Sequence, residues 1–183
     1  TRVLADHQVT VLGEVPQELT NILRKGGTLS PWTGVKITAT HAEHESELVW
    51  RNPATNKDEI HVGGEPSGFI IELENGFKIY HMGDTAPFSD MGLIAERYKP
   101  DLILIPIGGG QYVMNPADAA YVTTQFLKPK FAIPMHYGTR PDLPGTSEQY
   151  LQALGSTTTK VFLIKPGDKL ILYGLEEATL HGR

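Results

Sequence analysis

The longest uninterrupted apolar run of the chain is Leu102-Ile103-Leu104-Ile105-Pro106-Ile107, and three glycines follow it directly at Gly108-Gly109-Gly110. A short apolar run that is closed by proline and glycine predicts a strand buried on both faces of a sheet. Helical patterns flank this strand. Before it, apolar residues recur at the spacing of an amphipathic helix, at Met91, Ile94, Ala95 and Tyr98. After it, Asn115-Pro116-Ala117-Asp118 combines an N-cap, a first-turn proline and an early acid.

Further strands are predicted around this unit. Residues 35–40 alternate between apolar and polar side chains, which indicates a half-buried strand that runs into His41. Asn75-Gly76 separates the apolar runs 68–73 and 77–81, and an Asn-Gly step between such runs is a strong hairpin signal. We also predict strands at 130–135, 160–164 and 169–173 and a helix at 147–154. This order of elements indicates a layered α/β or α+β architecture.

Four less regular segments complete the prediction. Residues 2–7 have the pattern of the last turns of a helix, and residues 9–12 that of a strand. A short helix is predicted from Pro16 until the Gly26-Gly27 pair. Residues 51–67 are rich in polar residues, proline and glycine, so we expect a surface excursion there rather than a core element.

Composition excludes several classes of protein. The 183 residues include 16 Lys and Arg against 21 Asp and Glu, a formal net charge of −5. This length predicts one domain over residues 1–183, and an acidic chain lacks the basic field of a nucleic-acid-binding protein. The longest apolar run is far below the roughly 20 residues that cross a bilayer, and no signal peptide is recognisable. We therefore expect a cytoplasmic protein that binds neither nucleic acid nor membrane.

The chain has no cysteine and seven histidines, so a transition-metal site would have to use histidine and carboxylate ligands. Segments 40–45, 81–85 and 134–138 each follow a predicted strand and carry such residues. Strand ends project side chains into a shared crevice, which makes these three segments the candidate site.

Local geometry distinguishes the residues within these segments. His41 and His44 are three apart, so on an extended chain they point to opposite faces and only one is expected to bind a metal. Gly83 predicts a turn that directs the Asp84 carboxylate beyond the sheet, while His81 stays in the strand. We therefore predict Asp84 as a ligand and His81 as a supporting residue.

Four motifs follow one another along the chain: His81-Met82-Gly83-Asp84-Thr85, Ile105-Pro106-Ile107-Gly108-Gly109, Asn115-Pro116-Ala117-Asp118-Ala119-Ala120 and Ile133-Pro134-Met135-His136-Tyr137. In this order they resemble the C-terminal part of the metallo-β-lactamase superfamily, and within it the metal-dependent hydrolases related to the ascorbate-phosphate lactonases. The resemblance implies an α+β fold, a four-layer αββα sandwich whose N-terminal strands are missing here. It also implies two divalent metal ions, zinc or else manganese or iron.

Carried over residue by residue, the resemblance makes His44, Asp84 and His136 metal ligands, with Asp84 bridging the two ions as the catalytic residue. His41 is not expected to be a ligand, because its strand register opposes that of the chosen partners. The implied reaction is hydrolysis of a small-molecule ester, lactone or phosphodiester by a metal-bridging hydroxide.

One motif of the superfamily, His-x-His-x-Asp-His, does not occur in the chain. Residues 2–7 end in Asp-His, but Arg2 and Leu4 stand at the first two histidine positions. We therefore expect a domain cut shortly after its main metal motif, which associates with its own N-terminal fragment and with further copies as a homo-oligomer. The alternative is a non-catalytic domain or subunit that keeps the fold without a complete metal site.

Weaker signals lie elsewhere in the sequence. Surface positions are predicted for His7, His61 and His181, and core or rim positions for Trp32 and Trp50. The glycine run at 108–110 would suit either an anion contact or a turn requirement. Tyr137 and Arg140 follow His136 and are placed to contact an oxyanion or a phosphate, although packing explains Tyr137 equally well.

Overall fold

The computed structural model describes residues 3–5, 20–173 and 177–181. Within these ranges the strands are β1 (Val3–Ala5), β2 (Thr20–Ile22), β3 (Thr28–Trp32), β4 (Val35–His41), β5 (Glu47–Asn52), β6 (Lys57–Val62), β7 (Ser67–Glu72), β8 (Lys78–His81), β9 (Leu102–Pro106), β10 (Phe131–Met135), β11 (Lys160–Val161), β12 (Lys169–Tyr173) and β13 (Glu177–His181). The helices are α1 (Met91–Tyr98), α2 (Pro116–Tyr121), which continues as a π-helix over Val122–Leu127, and α3 (Ser147–Leu154).

A seven-stranded mixed sheet with the order β11-β10-β9-β8-β7-β4-β3 forms the centre. The strand predicted from the longest apolar run, β9, lies in its middle, parallel to β8 on one side and to β10 on the other. Ile103 and Ile105 of β9 are fully buried on one face, whereas Leu102 belongs to a separate apolar cluster on the other. Burial on both faces is therefore confirmed.

The helices cover one face of this sheet. Met91 and Ile94 of α1 and Tyr150 of α3 pack into the same buried cluster as Ile103. The predicted cap of α2 is present, because the Asn115 side chain accepts hydrogen bonds from the backbone N–H groups of residues 117 and 118. The helix face therefore holds the main core.

The opposite face of the sheet carries a smaller aromatic cluster. Phe77, Phe131 and Phe162 stack there with Leu102. Apolar residues of β12 pack against the cluster, and β12 pairs with β13 in a separate antiparallel hairpin. A mixed sheet with few helices agrees with the predicted α+β class, while the four-layer sandwich and its missing strands remain a prediction.

Two helix predictions near the N-terminus are wrong within the described residues. Val3–Ala5, which we expected in a helix end, is a strand that pairs in parallel with Thr20–Ile22, which we expected in the helix after Pro16. Segments this short contain too few residues to separate a helical from an extended pattern, so their pairing partner decides. The strand predicted at 9–12 and the histidine at position 7 lie outside the described residues.

The predicted excursion at 51–67 contains a β-hairpin. It is a surface element, as expected, but β5 and β6 pair over their whole length from Glu47 opposite Val62 to Asn52 opposite Lys57. The turn is closed by the side chain of Asn52, which accepts a hydrogen bond from the N–H of Ala54. The sequence pattern did not predict these strands. The exposed ribbon has no buried face, so its apolar and polar residues lack the pattern of a half-buried strand. The strand expected at 160–164 is shorter, Lys160–Val161.

Among the described residues, no helix has the length and apolar character needed to cross a membrane.

We predict that Ile103→Ala lowers the free energy of unfolding by roughly 2–5 kcal/mol, because it leaves a cavity in a packed interior. Ile103 has no exposed surface and lies at the centre of the sheet. The matched control is Leu93→Ala on α1, where the side chain is 61% exposed, and its effect should stay within about 0.5 kcal/mol. Urea unfolding of both variants measures the difference, and equal losses would contradict this description of the core.

Candidate metal centre

The candidate centre lies along one edge of the central sheet. β4 is antiparallel to β7 and β7 is antiparallel to β8, so β4, β8, β9 and β10 all run in the same direction. Their C-terminal ends therefore meet at one edge. Backbone hydrogen bonds join the loops that follow, including one of 2.8 Å from Ala86 N–H to the Glu43 carbonyl and one of 3.1 Å from Met114 N–H to the Thr85 carbonyl. Segments 40–45 and 81–85 belong to these joined loops, and segment 134–138 lies next to them.

The structure brings Asp84 and His136 together. The Nε2 atom of His136 lies 3.3 Å from the Oδ2 atom of Asp84, with the two side chains 32% and 48% exposed. A left-handed backbone conformation orients both side chains. His136 itself has a φ of 54°, and Gly83, directly before Asp84, has a φ of 70°. A Cβ on Gly83 would stand 2.7 Å from the Ser67 carbonyl oxygen. The turn predicted before Asp84 therefore requires glycine.

The chemistry of this pair suits a divalent metal ion. An imidazole nitrogen and a carboxylate oxygen are the donors that zinc and its neighbours take in a cysteine-free chain. The other ring nitrogen of His136, Nδ1, is buried and has no hydrogen-bond partner among the described residues. Asp84 and His136 would therefore hold the ion as two of its protein ligands.

His44 lies in the loop that follows β4. Its Nδ1 atom is 2.6 Å from the carbonyl oxygen of Glu45. A carbonyl only accepts, so Nδ1 carries the proton and Nε2 keeps the lone pair that a metal requires. Within the described ranges, however, no group of three or more His, Asp or Glu side chains is spaced to hold a metal ion. The ligand role of His44 stays a prediction.

His81 is tied to the turn that carries Asp84. The backbone N–H of Gly83 donates a 3.2 Å hydrogen bond to Nδ1 of His81. Burial lowers the pKa of His81 below its ordinary value, and the Asp84 carboxylate opposes this shift in part. A neutral imidazole that accepts the hydrogen bond from the Gly83 N–H stabilises this turn. This contact agrees with the prediction that His81 assists Asp84 rather than binds the metal.

Both ring nitrogens of His41 contact other side chains. Nδ1 lies 3.1 Å from the Lys25 ammonium and Nε2 lies 3.0 Å from a Glu43 carboxylate oxygen. Because an ammonium group only donates, Nδ1 is the acceptor and Nε2–H is the donor. His41 thus connects Lys25 with Glu43.

A cavity of about 310 Å³ opens beside the centre. It is lined by Glu43, His44, Glu45, Ala86, Gly110, Gln111, Tyr112 and Val113. The loops after β4, β8 and β9 therefore share one opening. Tyr112 was not predicted from the sequence, although its position two residues after the glycine run was the available signal.

Arg140 supports this cavity through Tyr112. Its Nε atom donates a 2.9 Å hydrogen bond to Asp142, and its guanidinium lies 5.2 Å from the centre of the Tyr112 ring. The Tyr112 hydroxyl donates to Asp142 at 3.0 Å. The Asp142 carboxylate raises the pKa of Arg140, and the guanidinium in turn lowers the pKa of Asp142. The positive charge predicted for anion contact is thus already balanced by Asp142.

The glycine run meets a turn requirement, because Gly109 and Gly110 both have a left-handed φ of 67°. A Cβ on Gly108 would lie 2.2 Å from the His136 carbonyl oxygen, and one on Gly110 would lie 2.1 Å from that of Asp142. The loop after β10 thus packs directly on this backbone. Tyr137 packs against the main core, in agreement with its packing explanation.

The weaker candidates lie away from this edge. His61 is on the exposed ribbon, with Nε2 3.3 Å from a Glu59 carboxylate oxygen. Trp32 is exposed at the end of β3, and Trp50 is half-buried on β5. The backbone of His181 belongs to β13.

Comparison with known proteins gives a consistent result. A family model described as a beta-lactamase superfamily domain matches residues 2–137. Metal-dependent hydrolases of Polaromonas sp. and Cupriavidus metallidurans are each 59% identical to the chain, over 161 and 166 residues. These alignments cover 88% and 89% of the chain but 59% and 57% of the relatives. The chain thus spans less than two thirds of their length.

A solved structure shows the same fold. It is Igni18, described as a novel metallo hydrolase from Ignicoccus hospitalis, with a TM-score of 0.75 and 27% identity. The match covers 100% of this chain and 70% of that chain.

We predict that Gly83→Ala destabilises the protein more than Gly138→Ala does. Both glycines have nearly the same φ, 70° and 69°, but only Gly83 lacks space for a Cβ. Left-handed strain alone should cost about 1–2 kcal/mol in either variant, and the contact with Ser67 should add about 1–3 kcal/mol to Gly83→Ala. Chemical unfolding of the pair isolates the contact; similar losses would show that the Gly83 turn is not tightly packed.

A second prediction concerns pH. Burial holds the pKa of His81 in the folded protein below its ordinary value of 6.5. As the pH falls, His81 is therefore protonated in the unfolded chain before it is protonated in the folded protein. The stability due to neutral His81 is therefore present above pH 6.5 and declines below it. In His81→Asn, whose amide oxygen can replace Nδ1 as acceptor, this part of the decline should disappear. Unfolding free energies of both proteins between about pH 7.5 and pH 5, a range that includes the ordinary pKa of histidine, measure this decline. An unchanged slope in His81→Asn would contradict the prediction.

Proposed function

This chain belongs to the metallo-β-lactamase superfamily, and we propose that it forms part of a metal-dependent hydrolase whose centre includes Asp84, His136 and His44. The observation that carries the proposal is the approach of His136 Nε2 to Asp84 Oδ2 at 3.3 Å. It occurs at the edge where four strand ends meet, beside a cavity open to solvent. The names of the relatives agree with this activity.

The ligand set needs further members. Zinc sites in enzymes use at least three protein ligands, and a two-metal site uses more. Since the chain spans 59% and 57% of two relatives, the remaining ligands are assigned to a segment with the His-x-His-x-Asp-His motif. That segment would lie in the rest of the protein or on a companion polypeptide.

Two divalent ions, zinc or else manganese or iron, would acidify a water molecule and stabilise the negative charge that develops during hydrolysis. The residues of this chain provide the setting for that chemistry. Asp84 presents a carboxylate beyond the sheet, and the hydrogen bond from Gly83 to His81 holds the turn beneath it. His44 presents Nε2 with its tautomer set by the Glu45 carbonyl. Each donor is therefore oriented by backbone before an ion arrives.

The substrate is expected to be a small molecule with an ester, lactone or phosphodiester bond. A cavity of about 310 Å³ lies at the lower end of the range of roughly 300–1,000 Å³ for small-molecule sites. Tyr112 forms part of its wall and is held by Asp142 and Arg140.

A second candidate is a non-catalytic domain or subunit of the same fold. It is favoured by the finding that the described part of the chain has no group of three residues able to hold a metal. The two candidates differ in one measurable property. A hydrolase bound to its complementary segment must take up metal in stoichiometric amounts, whereas the non-catalytic domain must not.

We predict that Asp84→Asn and His136→Gln each weaken Zn²⁺ binding about 100-fold or more, because loss of a ligand exceeds the 10–100-fold cost of losing an outer partner. Hydrolysis by the protein combined with the motif-bearing segment should be lost as well. Isothermal titration with Zn²⁺ measures the binding. Hydrolysis of a panel of lactone, ester and phosphodiester substrates measures the activity. Asp168→Asn, in the exposed turn before β12, is the matched control and should behave as the wild type.

The same experiment separates the two candidates. Stoichiometric Zn²⁺ binding that both variants weaken about 100-fold or more supports the hydrolase. Wild-type protein that binds no metal in the presence of the complementary segment would support the non-catalytic domain. Unchanged binding in both variants would remove Asp84 and His136 from the site.

A further inference from the structure

The hairpin of β5 and β6, residues 47–62, exposes an apolar strip, and we propose that this strip is a contact surface between two copies of the chain. We call the hairpin the arm. The side chains of Val49, Ile60 and Val62 are 61%, 69% and 73% exposed. Three large aliphatic residues side by side on a surface are typical of a protein interface.

The pairing register places these residues on one face of the arm. Val49 lies directly opposite Ile60, and Glu47 lies directly opposite Val62. Directly opposed residues project to the same side, as do residues two apart along a strand. Arg51 and Asp58, the next opposed pair toward the turn, therefore complete the same face, and their ion pair measures 2.9 Å.

The arm stands apart from the central sheet. Within the described residues β5 and β6 form a two-stranded sheet of their own. An isolated two-stranded ribbon is marginally stable in water, so burial of one face should stabilise it. On the other face Trp50 contacts His61, with ring centres 6.0 Å apart. The strip of Val49, Ile60 and Val62 is the face left for a partner.

The distribution of charge favours a second copy as that partner. Across the two strands the face pairs Val49 with Ile60 and, in the next row toward the turn, Arg51 with Asp58. A two-fold axis parallel to the strands and midway between them lays β5 of each copy on β6 of the other. Val49 then lies on Ile60, and Arg51 on Asp58, of the second copy. Such a face is self-complementary, as a symmetric dimer requires.

The expected dimer is weak. Two strips of three aliphatic residues bury much less than the roughly 1,200–2,000 Å² of a standard interface, so association should fall in the micromolar range or weaker. The arm begins two residues after Glu45, at the rim of the cavity. The inference nevertheless does not depend on the proposed activity, because its surface contains none of Asp84, His136 and His44.

Sedimentation of the 183-residue protein over a range of concentrations tests the proposal. Wild-type protein should show reversible dimerisation, and Ile60→Lys should weaken it at least tenfold, because a charge would be buried in the apolar strip. Asp58→Arg should also weaken it, since it brings a further positive charge beside Arg51 of both copies. Thr55→Lys adds the same charge at the exposed turn of the arm and should leave dimerisation unchanged.

Cross-linking provides an independent measurement. Because the chain has no cysteine, Val49→Cys introduces a single thiol near the proposed two-fold axis. A short bismaleimide should convert this variant to a covalent dimer, and the yield should fall in Val49→Cys combined with Ile60→Lys. Thr55→Cys should give little dimer. A wild-type protein that stays monomeric, or a dimer that withstands Ile60→Lys and does not cross-link through Val49→Cys, would overturn the proposal. Ile60→Lys should bind Zn²⁺ as the wild type does, because the strip contains none of the predicted ligands. A Zn²⁺ titration of this variant therefore separates the test of the dimer from the test of the metal centre.

Discussion

The parallel alignment of β8, β9 and β10 is the constraint on which the rest of the structure depends. Ile103 of β9 pairs with Tyr80 on one side and Ala132 on the other, and all three are fully buried. A slip of one residue would turn these side chains to the opposite face, so the register is strongly specified. That register determines where β8 and β10 end, and hence where Asp84 and His136 emerge.

Backbone conformation at the strand ends converts this alignment into a site. Gly83 and His136 both adopt left-handed conformations, at the turn before Asp84 and directly after β10. The Gly108 backbone approaches that of His136 so closely that a Cβ would not fit. The loops after β8, β9 and β10 thus pack through their main chains, which leaves the side chains of Asp84 and His136 free to face each other.

The candidate centre and the arm arise from the same stretch of chain. The residues after β4 pass the cavity at Glu43 and His44 and then enter the arm at Glu47. The backbone of Glu43 is held by Thr85 and Ala86, so this side of the cavity is joined to the loop that carries Asp84. In the arm beyond it, β5 and β6 form hydrogen bonds with each other. One face of the arm can therefore associate with a partner without disturbing the predicted metal ligands.

The sequence by itself determined the elements whose signals are local. Six apolar residues predicted β9, the Asn75-Gly76 step predicted the β7–β8 hairpin, and the cap at Asn115 predicted the start of α2. The ordered motifs indicated the superfamily. Only tertiary structure decided that Val3–Ala5 pairs with Thr20–Ile22, because such short segments take their conformation from a partner distant in sequence. The sequence also placed Asp84 and His136 in one site, but only tertiary structure decided their 3.3 Å contact and the balance of Arg140 by Asp142, since these contacts depend on the turn angles and packing of separate loops.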